Sequence, residues 1–68
     1  MNVRQAQYLI AVFEEGSISG AAKRLYISQP ALSQTIQMVE KELGARIFDR
    51  TTTPISLTYA GEKYIETA

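Results

Sequence analysis

The chain has 68 residues, seven basic and seven acidic side chains, and neither cysteine nor histidine. One small domain is the most that length allows, and the missing Cys and His exclude disulfide staples, zinc knuckles, thiol nucleophiles and imidazole acid–base catalysis. With 46% hydrophobic and 21% charged residues the composition is that of a folded domain, whose thin core of ~3–5 kcal/mol calls for a second copy or a longer chain to lean on.

The opening MNVRQAQ carries no basic stretch before a long apolar run, so it is not a signal peptide. The apolar run from Tyr8 to Phe13 is too short to span a bilayer. A cytoplasmic protein with no membrane partner is expected. Asn2 is an N-cap type, and with Gln5 three residues on it resembles a capping box. Ala6, Leu9, Ile10 and Phe13 recur at i, i+3, i+4 and i+7, which predicts a one-faced helix. Tyr8 and Val12 widen its apolar surface onto a second flank, and Gly16 stops it.

Ser17 caps a second, short helix built on Ile18, Ala21, Ala22 and Leu25. Ser28 caps a third, with Pro30 in the first turn, where its missing N–H costs nothing. Leu32, Ile36, Val39 and Leu43 form the buried stripe of that helix, and Gly44 ends it. The short helix, turn and longer helix have the spacing of a helix-turn-helix. Ile47-Phe48 and Ile55-Ser56-Leu57, flanking Arg50 to Pro54, predict a small hairpin. Thr58 caps a last helix with Ala60, Tyr64 and Ala68 on one stripe and Ile65 beside them. The chain stops while that stripe is still running, as a fragment of a longer protein does.

The third helix carries the chemistry. On a wheel of 100° per residue, Pro30, Gln34 and Gln37 lie opposite the apolar stripe, with Ser33 and Gln29 on the flank nearer the helix start. Glutamine pairs bidentately with adenine, serine serves either base type, and Pro30 or Ala31 fits a thymine methyl. The same residues also fit a plain solvated face. From Gly16 to Val39 the only charges are Lys23 and Arg24, both positive, and a face without carboxylates suits a phosphate backbone. Lys23, Arg24, Arg46 and Arg50 are the candidate phosphate contacts, each also readable as a solvated or ion-paired side chain, and Arg50 has the best case because it opens the hairpin loop. Glu62 and Glu66 share a face but lack a third ligand, so no metal site is expected. No catalytic constellation emerges.

The run Ala21-Ala22-Lys23-Arg24-Leu25-Tyr26-Ile27-Ser28-Gln29-Pro30-Ala31-Leu32-Ser33 resembles the core of the LysR-type transcriptional regulators. Gly16-Ser17 before it and Ile36, Glu40, Leu43-Gly44, Phe48, Arg50 and Leu57-Thr58-Tyr59-Ala60-Gly61 after it extend the resemblance over the whole chain. The resemblance implies a mainly α, winged helix-turn-helix fold: three helices, a short two-stranded β wing and a C-terminal linker helix. Residues 1–57 would be the DNA-binding domain and 58–68 the start of a dimerisation helix. A small-molecule effector would bind only a further C-terminal domain, and these residues need no cofactor. The implied partners are double-stranded DNA with an inverted-repeat operator and further copies, as dimers that pair into tetramers.

By position, the resemblance gives base readout to Gln29, Pro30, Ser33 and Gln34. It places the wing at Arg50 and the Thr51–Thr53 loop, with Arg50, Thr51 and Thr53 as the expected contacts; read from the residues themselves, backbone contact falls to Ser28, Lys23, Arg24 and Gln37. Three departures alter the expectation. Thr53 and Pro54 stand where the wing tip usually has Arg and Gly, which weakens minor-groove contact. Gln34 replaces a frequent Arg, favouring adenine over guanine. Gln37 and Met38 replace residues that are often basic. A dimer interface is expected from Tyr8, Val12, Ala60, Tyr64, Ile65 and Ala68, whose apolar stripe is too wide for a small core. The competing class is a winged helix used only for protein interaction, which the neutral charge suits; an enzyme is a distant third.

Overall fold

Each helix begins where a short polar side chain takes up free backbone N–H groups. In the computed structural model, which describes residues 2–67, Asn2 Oδ1 accepts from the N–H groups of Arg4 at 2.9 Å and Gln5 at 3.4 Å, opening α1 (Val3–Glu15). Ser17 Oγ accepts from Gly20 N–H at 3.0 Å at the start of α2 (Ile18–Leu25). Ser28 Oγ accepts from Ala31 N–H at 3.2 Å to open α3 (Gln29–Leu43). After an antiparallel pair, β1 (Phe48–Asp49) and β2 (Ser56–Leu57), Thr58 Oγ1 accepts from Gly61 N–H at 3.0 Å at the head of α4 (Tyr59–Glu66).

Gly16 ends α1 and Gly44 ends α3, both in the left-handed region. Tyr26 ends α2 in the same conformation, φ 58° and ψ 40°. A residue with a β-carbon adopts it at a cost of about 1 kcal/mol.

Leu9, Val12, Leu32, Ile36, Ile47 and Phe48 are the largest fully buried side chains, so α1, α3 and the start of the hairpin share one core. The buried face of α1 keeps Ala6 and Leu9 of the predicted stripe but turns toward the second flank. Ala11 and Val12 are buried while Ile10 is half-buried and Phe13 is 45% exposed. Two overlapping apolar registers run along this helix. The one with small residues lets α2 approach through Ala21 and Ala22, both buried. Leu43 also departs from expectation, at 45% exposed, because the core ends one turn earlier at Val39.

The hairpin is shorter than predicted, with register Phe48↔Leu57 and Asp49↔Ser56. Ile47 and Ile55 lie outside the two-residue strands because their N–H groups are used elsewhere. Ile47 N–H donates to Glu40 Oε2 at 2.9 Å, and its carbonyl accepts from Thr58 N–H at 2.9 Å. Ile55 N–H donates to the Gly16 carbonyl at 3.0 Å. The wing is thereby tied to the α1–α2 corner and to the foot of α3, which fixes it relative to the helix-turn-helix.

Candidate nucleic-acid interface

The N-terminal end of α3 presents Gln29, Pro30, Gln34 and Gln37 to solvent, with Ser33 half-buried beside them. Leu32 and Ile36 hold the opposite side in the core at 0% exposure. These side chains therefore project from a helix that is fixed at its back. At its start, Ser28 Oγ takes the Ala31 N–H and the Ser28 carbonyl takes the Leu32 N–H, while Pro30 has none. The N–H groups of Ser28 and Gln29 have no internal partner among the described residues, which leaves them for an anion.

The basic side chains divide. Lys23, Arg46 and Arg50 are exposed. Arg24 is instead held by Glu14 at 2.9 Å and Glu15 at 3.3 Å, two carboxylates at the end of α1 that raise its pKa. The ion-paired reading of Arg24 is the one the fold adopts.

In the wing, the Asp49 carboxylate accepts from both the hydroxyl and the N–H of Thr51, which holds its pKa below the ordinary carboxylate value. Thr51 thus uses its donors to shape the turn. Thr52, expected only as part of the wing loop, stitches it: its hydroxyl reaches the Pro54 carbonyl at 2.9 Å and Ser56 Oγ at 3.0 Å. Arg50 and Thr53 stand exposed at this turn. Glu40 was equally invisible as the clamp on Ile47, since its partner is a backbone group seven residues on.

The residues expected to join two copies are only partly available. Val12 is fully buried in the core and has no surface to offer, because it lies on the α1 face that packs inward. Tyr8 and Tyr64 are half-buried and pack against the core. Ala60 and Ile65 are half-buried on α4, and Ala68 lies outside the described residues. An open groove of about 510 Å³ runs between Leu43 at the end of α3 and Tyr59, Ala60, Lys63 and Tyr64 on α4. Among the described residues no group of three His, Cys, Asp or Glu side chains is placed to hold a metal ion, and no helix is long and apolar enough to cross a membrane.

Residues 3–62 match the family described as bacterial regulatory helix-turn-helix protein, lysR family. The HTH-type transcriptional regulator ClcR of Pseudomonas putida is 48% identical over all 68 residues, and TfdT of Cupriavidus pinatubonensis is 43% identical over the same span. The chain covers only 23% and 30% of the lengths of these two relatives. Among solved structures, the CbnR DNA-binding domain in complex with DNA is 42% identical with a TM-score of 0.87, covering 98% of this chain and 77% of that one. The BenM DNA-binding domain bound to catB site 1 DNA is 39% identical with a TM-score of 0.89, covering 98% and 75%. With its winged helix-turn-helix in place and nearly all of its length matched, the chain belongs to the lysR family of bacterial regulatory helix-turn-helix proteins.

Proposed function

We propose that this chain is the sequence-specific DNA-binding part of a transcriptional regulator, with the start of α3 in the major groove and the wing at the backbone. The observation that carries the reading is the uncharged face of exposed Gln29, Pro30 and Gln34 with half-buried Ser33, on a helix whose back is locked in the core. No charge occurs from Gln29 to Val39, so base edges are met by amides and a hydroxyl with no carboxylate facing phosphate. That two related structures of this fold are named as DNA complexes supports the assignment. Gln34 favours adenine at its base. Lys23, Arg46, Arg50 and the Ser28 and Gln29 N–H groups supply the phosphate contacts, with Gln37 and Thr53 at the margins.

Residues 1–57 form the reader in this proposal, and 58–68 begin the helix that joins two copies through Ala60, Tyr64 and Ile65. The operator is then an inverted repeat. The whole regulator works in the cytoplasm as a dimer or a tetramer of paired dimers, and a small-molecule effector acts through a domain beyond these residues. The relatives are transcriptional regulators, which favours binding over catalysis. A gel shift comparing inverted-repeat promoter DNA with scrambled DNA tests the reading: discrimination supports it. Equal or absent binding would favour the protein-interaction module that the neutral net charge suits.

A further inference from the structure

Tyr26 is the most exposed large apolar side chain among the described residues, at 95%, and it holds the left-handed conformation at the α2–α3 turn. Its backbone N–H donates to Lys23 O at 3.2 Å, and the next N–H, of Ile27, donates to Ala22 O at 3.1 Å. Those bonds need the backbone conformation and not the ring. Asparagine or glycine would make them with less strain and without an aromatic face in water. The fold gains nothing from this side chain, and a strained residue that the fold does not use marks a functional position.

Its location says which function. Tyr26 stands three residues before Gln29, so their Cα atoms are at most about 10 Å apart, and a major groove is about 12 Å wide. A side chain that close to a helix end inside the groove overhangs the groove wall, which is a sugar–phosphate strand. Exposed Lys23 lies one helical turn before it on α2. We infer that Tyr26 packs its ring on a deoxyribose beside the base read by Gln29 and donates its phenolic O–H to a phosphate oxygen, a contact type Tyr makes in such complexes. The inference rests on the DNA-binding reading proposed above.

The test pairs thermal melts with titrations of this chain on inverted-repeat and scrambled DNA. Tyr26→Asn and Tyr26→Gly remove both strain and contact. They should raise the melting temperature, by about 4 °C for Asn, yet weaken binding about tenfold on both DNAs alike. The log–log salt slope should not change, because no charge is lost. Tyr26→Phe keeps the ring and the strain, so it should leave the melting temperature unchanged and lose about threefold in affinity. Unchanged affinity in the Asn and Gly variants, or a fall in melting temperature that tracks the fall in affinity, overturns the contact while leaving the DNA-binding reading intact. Failure of the unsubstituted chain to bind either DNA overturns both.

Discussion

A β-carbon at Gly61 would collide with the Ile47 carbonyl oxygen, which is backbone already engaged by Thr58 and so unable to yield. Gly61→Ala should therefore push α4 off the hairpin and lower stability by roughly 3 kcal/mol, read as a drop in melting temperature. Gly16 is constrained differently: its φ is +72° and a β-carbon would meet Pro54 Cβ at 2.7 Å, so the α1–α2 corner and the wing share one tight contact. Tyr64 shows the opposite situation. Its hydroxyl is buried with no hydrogen-bond partner among the described residues, and burial together with the charge of Glu42 raises its pKa above the ordinary 10.0. The neutral phenol is the form the fold accepts, so its contribution is intact below that value and is lost as pH climbs through the raised one. Tyr64→Phe should leave stability unchanged or higher by up to about 1 kcal/mol at neutral pH and should blunt the loss at alkaline pH, as pH-dependent melts would show.

At the scale of the element, α3 is two surfaces on one rod. Leu32→Ala or Ile36→Ala, at fully buried positions, should cost ~2–5 kcal/mol, close to the whole margin of so small a domain, and should abolish binding by unfolding it. Chemical denaturation curves measure this directly. The ends of the helices were legible in the sequence because capping is local: Asn2, Ser17, Ser28 and Thr58 each act on an N–H two or three residues ahead. The facing of α1 was not, since Phe13 and Val12 are equally apolar and only the approach of α2 decides which is buried. The hairpin was legible as an element but not in its length, because Ile47 and Ile55 are claimed by Glu40 and Gly16, partners that no local pattern reveals. The candidate reading face was legible from helical periodicity alone. The pairing of Arg24 with Glu14 and Glu15 was not, because it crosses between helices.

For the whole molecule, the neutral net charge is a statement about how it meets a polyanion. With Arg24 ion-paired to Glu14 and Glu15, the unpaired candidates for phosphate contact among the described residues of each copy are exposed Lys23, Arg46 and Arg50. If two copies bind together as proposed, they neutralise roughly six phosphates, and log affinity should fall with log salt at a slope of about −5. A slope of about −10 would require a basic surface that these residues do not form. The discrimination left after the electrostatic part is screened must come from α3. The most direct measurement is a titration of Gln29→Ala and Gln34→Ala, beside the unsubstituted chain, on cognate and on scrambled DNA. Both variants should melt as the parent does and lose ~1–3 kcal/mol on the cognate site with little change on scrambled DNA. Equal loss on both DNAs would make this face a phosphate clamp, and no loss on either would contradict the assignment of α3 as the reader.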